Sequence, residues 1–108
     1  MSRAGILAVL VVLSGCAAIA SKEAVIGCQA ADAATTLHAT SLGAEELNPF
    51  VGWLLGFGPM ALIAAKAGVT LLVLHHHAEL PRNLLVAANG ITCAVAANNA
   101  RIAAELAP

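Results

Sequence analysis

The stretch of sequence that decides the fold is DAATTLHATSLGAEELNP, residues 32–49. It begins at Asp32, a carboxylate inside an otherwise apolar segment, and it ends in the pair Asn48 and Pro49. A residue that precedes proline disfavours helix, and Asn-Pro is a turn signal. Gly43 lies between the two ends and is a typical helix stop. The stretch therefore predicts a helix that carries a polar group, followed by a shaped turn.

The residues on both sides of Asp32 predict the first helix, over residues 24–42. This segment is rich in alanine and contains no proline. Cys28, Asp32 and Thr35 follow the i, i+4, i+7 spacing that places side chains on one helix face, and Thr36 lies beside that face. A carboxylate in hydrocarbon costs several kcal/mol. We therefore expect this face to meet a partner helix or a wet cavity.

The composition of the chain indicates a lipid solvent. Its 108 residues are 60% hydrophobic and 10% charged, whereas soluble domains are about half apolar and about a quarter charged. The expected partner is therefore the lipid bilayer. A net charge of −1 and an aromatic content of 3% provide neither phosphate neutralisation nor base stacking, so nucleic-acid binding is not expected.

The first residues predict export. A basic start at Arg3 precedes an apolar core, and Leu13-Ser-Gly-Cys16 resembles a bacterial lipobox, in which the signal is cut before the cysteine and the cysteine is lipidated. The alternative is an uncleaved anchor helix over residues 4–20, which can just cross a bilayer. We expect a signal peptide of lipoprotein type or an anchor over 1–15, and a helical membrane domain over 16–108. The predicted location is a bacterial membrane, with the chain both lipid-anchored at Cys16 and integral.

Two further helices are predicted, over residues 59–77 and 84–104. The first begins at Pro59, and its run from Met60 to Leu74 is apolar apart from Lys66 and Thr70. The loop between the two helices is short, so they should be antiparallel neighbours. Residues 43–58 are apolar and aromatic but too short to span, which predicts an interfacial hairpin. The fold class is therefore all-α: a small membrane-embedded bundle of three helices after the N-terminal segment.

The predicted helices favour an ion pair between Asp32 and Lys66. At about 1.5 Å per residue Asp32 and Lys66 lie roughly 16 and 10 Å below the 43–58 hairpin, a difference that the long lysine side chain can close. Thr35, Thr36 and Asn98 are expected to complete this buried polar cluster. The cluster either fixes the register of the helices or forms part of a proton or ion relay.

These residues carry a resemblance to a known family. The chain resembles a widespread family of small bacterial and archaeal three-helix membrane proteins of unknown function, which includes phage-type lipoproteins. The family pattern is matched here by Asp32, Thr35, Thr36, Gly43, Glu46, Asn48, Pro49, Gly58, Pro59 and Lys66, with Asn98 or Asn99 as the closing amide. The resemblance covers roughly residues 24–104, and the additional acid Glu45 and the histidines at 75–77 depart from it. It implies an architecture and candidate residues, but no reaction.

Two other motifs have a functional and a structural interpretation. The loop motif Gly43, Glu46, Asn48 and Pro49 either binds a ligand or cation at the bundle mouth or forms a turn in which Asn48 caps the chain; the turn is favoured. The run His75, His76 and His77 suggests a metal, but adjacent helical residues point about 100° apart, so a polar helix end is favoured. We predict no metal and no cofactor.

The sequence contains no recognisable catalytic set. No nucleophile with a base, paired acids or metal ligands stand at a known spacing, so an enzyme is not predicted. Cys28 and Cys93 lie in apolar surroundings and are expected to be inert thiols. The favoured function is a structural or interaction module. The alternative is a small ion- or solute-conducting subunit that acts as an oligomer; a second copy or another membrane protein would then be the partner.

Overall fold

The computed structural model describes residues 19–108. These residues form four α-helices and one turn of 3-10 helix, and no strand occurs among them, which confirms the all-α prediction. The four helices are α1 (Lys22–Ser41), α2 (Pro49–Leu55), α3 (Pro59–His76) and α4 (Arg82–Leu106), and the 3-10 turn is His77–Glu79. The predicted signal or anchor over 1–15 and the lipidation site Cys16 lie outside the described residues.

The 43–58 segment contains a helix that the sequence analysis did not predict. The Asn48 side chain caps α2, since its Oδ1 accepts a hydrogen bond of 3.0 Å from the backbone N–H of Phe50. Pro49 occupies the first helical position, where its missing N–H costs nothing. The predicted three helices are therefore four, because the turn signal Asn-Pro also serves as a helix start.

The end of α1 explains why Gly43 stands in the motif. The N–H groups of Gly43 and Ala44 donate to the carbonyls of Thr40 and Ala39, the pattern of a Schellman cap. This cap needs a left-handed residue, and Gly43 has φ of 99°. The helix therefore ends here, and the chain turns towards α2.

The long helices lie side by side in one layer. α1 contacts both α4 and α3, while α3 and α4 touch each other little. The principal extents are 44 × 39 × 17 Å, so the predicted helical bundle takes the form of an open layer with α1 in the middle. α1 buries a stripe repeating every three or four residues, namely Val25, Cys28, Asp32, Thr36 and Ala39.

α3 differs from its neighbours because almost all of it is exposed. Leu62 is its single buried residue, while apolar side chains such as Val69 and Leu71 face outward. Among the described residues, the segment Pro59–Glu79 is the one helical stretch long and apolar enough to cross a membrane, and only 6% of its most apolar 18 residues is buried. Such a helix is not the core of this chain.

Candidate functional site

The site is built around Asp32, which α1 presents to both neighbouring helices. Asp32 is 8% exposed because it lies on the buried stripe of α1. Its Oδ2 is 2.5 Å from Nζ of Lys66 on α3, and the two side chains are 11% and 23% exposed. The structure therefore brings together the two charges that the sequence analysis paired, and it does so at the interface between α1 and α3.

The amide of Asn99 connects the same site to α4. Its Nδ2 donates to Thr36 Oγ1 at 2.9 Å, and makes longer contacts of 3.4 Å to Thr35 Oγ1 and 3.5 Å to Asp32 Oδ1. The first is a well-formed hydrogen bond, whereas the other two stand at the outer limit. We call Asp32, Thr35, Thr36, Lys66 and Asn99 the Asp32 cluster.

The structure corrects the choice of Asn98 for this cluster. Asn98 is exposed, and its Oδ1 accepts a hydrogen bond of 2.8 Å from Arg101 on the same helix. Consecutive helical residues point about 100° apart, so only one of the two amides can face α1. The buried positions Ala96 and Ala103 lie three residues before and four residues after Asn99, and this spacing is the signal that selects it.

The loop residues Glu46 and Asn48 lie at one end of the site. Glu46 Oε1 accepts a hydrogen bond of 2.9 Å from the backbone N–H of Asn48, and Asn48 in turn caps α2. Together with Gly43 and Pro49 they form the turn between α1 and α2. In the described residues Glu46 bonds to this backbone amide, and no ion pair joins it to Lys66.

A cavity of about 230 Å³ lies between these elements. Its lining residues come from α1, α3 and α4, and also from α2 and the loop before it. Its polar lining comprises Asp32, Thr36, Glu46, Asn48, Lys66, Thr92 and Asn99, and its apolar lining comprises Val51, Leu62, Ile91 and Val95. The gap between α3 and α4 thus gathers most polar residues of the sequence pattern around one space.

The cysteines are bonded to each other, which corrects the expectation of inert free thiols. Cys28 on α1 and Cys93 on α4 form a disulfide across 65 positions of sequence. A single bond between distant helices leaves no local cysteine spacing, so the sequence pattern gave no signal for it. The bond joins the same two helices that Asn99 joins.

The His75 and His76 rings meet edge to face with centroids 4.8 Å apart, whereas His77 contacts the segment before α1. His77 Nε2 lies 2.8 Å from the carbonyl oxygen of Ala20, and His76 Nδ1 lies 3.3 Å from Glu79 Oε2. Across residues 19–108, no group of three or more His, Cys, Asp or Glu side chains could hold a metal ion. The histidine run lies at the end of α3, and His77 contacts the segment before α1.

Asn89 is a second buried amide with a partner distant in sequence, and the sequence pattern did not single it out. It is buried on α4, and its Nδ2 donates a hydrogen bond of 2.7 Å to the carbonyl oxygen of Ile19. With the His77 contact to Ala20, two side chains therefore hold the backbone just before α1. The sequence gives little indication of these two contacts, because both partners are main-chain carbonyls, which every residue has.

Comparison with known proteins supports the family interpretation. The search of curated proteins and the search of solved structures both find no match. A family model described as a domain of unknown function, DUF5658, matches residues 23–103, which include α1 except its first residue, α2, α3, most of α4 and every member of the Asp32 cluster. The chain therefore belongs to the DUF5658 family.

Proposed function

We propose that the chain is a small membrane-embedded module whose Asp32 cluster holds α1, α3 and α4 in register. One observation carries this proposal: α3 is apolar and yet buries only Leu62. In water such a face would be a large exposed apolar patch, which monomeric soluble proteins avoid. In a bilayer the same face needs no protein partner, because its backbone groups are satisfied within the helix.

The polar groups support the same proposal. Lys66 and Asn99 both reach Asp32 between the helices, and the exposed side chains of α3 before His75 are apolar. In hydrocarbon, polar side chains that hydrogen-bond across helices replace part of the missing hydrophobic drive for association. The cluster then stabilises the association of helices that would otherwise separate in lipid.

Trp53 offers a direct test of membrane embedding. It is the one tryptophan of the sequence, it lies on α2, and it is 59% exposed between the rings of Phe50 and Phe57. An aromatic group of this kind suits the membrane interface. In vesicles with brominated acyl chains we expect strong quenching of its fluorescence, and weak quenching by aqueous iodide. Full iodide quenching with no effect of bromine would contradict the proposal.

The N-terminal part of the proposal is lipidation at Cys16 and residence in a bacterial membrane. The motif Leu13-Ser-Gly-Cys16 supports it. The test is the mass of the mature chain: removal of residues 1–15 with an added diacylglycerol is expected, and an intact unmodified chain would leave the anchor helix as the better interpretation.

The second candidate is an ion- or solute-conducting subunit that works as an oligomer. The cavity favours it, since Glu46 stands with Asp32 and Lys66 around one space and thereby adds a third ionisable group. The variant Asp32→Asn separates the two functions. Unchanged folding together with loss of a measured ion flux would support conduction, whereas reduced stability with no flux in either protein supports the structural module.

A further inference from the structure

Two rows of apolar side chains border the space between α3 and α4. Both helices pack on α1 but touch each other little, so a trough remains between them. Leu62 on α3 and Ile91 and Val95 on α4 face this space. Val69 lies seven residues after Leu62, and Leu84 lies seven residues before Ile91, spacings that keep each pair on one helix face. We call Leu62, Val69, Leu84, Ile91 and Val95 the α3–α4 trough.

Most of the trough is uncovered within residues 19–108. Apart from Leu62, its side chains are between 45% and 66% exposed. Apolar faces of helices are normally packed against a further layer. Val69 and Leu84 extend the trough towards the end of the structure where α3 ends and α4 begins. An element that covers the trough can therefore enter from that end.

The chain before α1 is held at the same end. The carbonyl oxygen of Ile19 accepts a hydrogen bond of 2.7 Å from Asn89 on α4. The carbonyl oxygen of Ala20 lies 2.8 Å from Nε2 of His77, which directly follows α3. Side chains from both borders of the trough thus fix the backbone from which the N-terminal segment continues.

Covalent geometry keeps Cys16 near the trough. Cys16 is three residues before Ile19, and three residues of fully extended chain span at most about 11 Å, roughly the width of one helix. From Leu84 to Val95 the trough is about 17 Å long at a rise of about 1.5 Å per residue. One leaflet of hydrocarbon is about 15 Å deep, so a single acyl chain has about the length of the trough.

We propose that an acyl chain of the lipid on Cys16 lies in the α3–α4 trough and packs against the exposed side chains of α3 and α4. The inference rests on the lipidation of Cys16 proposed above. Burial of the methylene groups of the acyl chain against these side chains stabilises the arrangement. The lipid then joins α3 to α4, which touch each other little through their own residues.

A second apolar groove provides the comparison surface. It has a volume of about 350 Å³, lies between α1 and α3, and includes Ile26, Ile63 and Leu71 in its lining. Its lining residues come from α1 and α3, whereas the chain before α1 is also held by Asn89 of α4. The tether therefore favours the trough over this groove.

Photocrosslinking of the full chain tests the proposal. The chain is produced in bacteria that are fed a fatty acid with a diazirine near its methyl end, then purified in mild detergent and irradiated. The mass of the intact chain first reports whether Cys16 carries a diacylglycerol. A chain without the lipid would overturn the lipidation and this inference with it, whereas a lipidated chain tests the position of the acyl chain by itself.

Peptide mapping then locates the crosslinks. A crosslink from the Cys16 lipid joins the peptide that contains Cys16 to a second peptide, whereas one from a free phospholipid adds the mass of that phospholipid to a single peptide. We expect crosslinks from the Cys16 lipid to reach the trough about tenfold more often than the groove between α1 and α3, which corresponds to a preference of about 1.4 kcal/mol. Equal frequencies at the two surfaces would overturn the proposal and leave the lipidation intact.

A matched pair of variants tests the same position. Ala88 is exposed and lies seven residues before Val95, so the ring of Ala88→Trp fills the trough. Ala97 is also exposed, but it points about 200° away from Val95 around α4, so Ala97→Trp is the control. Crosslinks to the trough should fall about tenfold in Ala88→Trp and stay unchanged in Ala97→Trp, with an intact Cys28–Cys93 disulfide in both. Unchanged crosslinks in Ala88→Trp would overturn the proposal, and so would an equal loss in the two variants.

Discussion

α4 and α3 both pack on α1, but different forces hold them there. α4 is joined to α1 by the Cys28–Cys93 disulfide and by the Asn99 amide, and it buries Leu85, Ala96 and Ala103. α3 is joined by the ion pair of Lys66, and it buries only Leu62. α4 is therefore held to α1 by a covalent bond, a hydrogen bond and buried side chains. The attachment of α3 depends on one charge pair and on the medium that covers its apolar surface.

The largest loss of stability is expected when the disulfide that holds α4 to α1 is removed. Replacing Cys28 and Cys93 together with Ala should lower the free energy of unfolding by about 4 kcal/mol, since a closed loop of 65 positions no longer restricts the unfolded chain. The measurement is a denaturant titration in detergent, with and without a reductant. Reductant should destabilise the unmodified chain and leave the double variant unchanged. A loss below about 1 kcal/mol would show that packing alone holds α4.

The ion pair is the corresponding test for α3. Lys66→Met should cost about 3 kcal/mol of unfolding free energy, because Asp32 then stays buried with an uncompensated charge. The double variant Asp32→Asn with Lys66→Met should recover part of that loss, which a double-mutant cycle measures. Lys22→Met, at an exposed lysine, is the control and should change stability by less than about 0.5 kcal/mol. Additive losses in the cycle would mean that the pair contributes nothing as a pair.

A smaller loss of stability is expected when the hydrogen bond between α4 and α1 is removed. Asn99→Ala removes the amide that donates to Thr36 and should cost about 1–2 kcal/mol, since a buried hydroxyl loses its partner. Asn98→Ala lies one position away on the exposed face and should cost less than about 0.5 kcal/mol. Thermal unfolding of the two variants side by side measures the difference. Equal losses would place both amides outside the interface.

The helical class and the neighbourhood of Asp32 and Lys66 could be predicted, because apolar runs, proline positions and the rise per residue determine them locally. The selection of Asn99 over Asn98 depends on which face of α4 meets α1, and that face is marked only by the spacing of small alanines. The open layer could not be predicted, since the sequence shows which helices are apolar but not which of them touch.

The disulfide, two long-range hydrogen bonds and the helix α2 could not be predicted from the sequence, each for its own reason. The disulfide joins positions that share no spacing rule, and the hydrogen bonds of His77 and Asn89 end on main-chain carbonyls, which every residue possesses. α2 was missed because a capping asparagine and a proline at the first helical position also form an ordinary turn signal. Local patterns therefore predicted the elements, and contacts distant in sequence determined the site.

The Cys28–Cys93 bond has a consequence for how the chain is made. Such bonds form in oxidising compartments and are rare in the reducing cytosol, so both cysteines must reach an oxidising environment before the bond can close. All of α2 and α3 lies between the two cysteines in the sequence, and Cys93 lies on α4. The covalent link can therefore form only after α2, α3 and the first half of α4 have been synthesised.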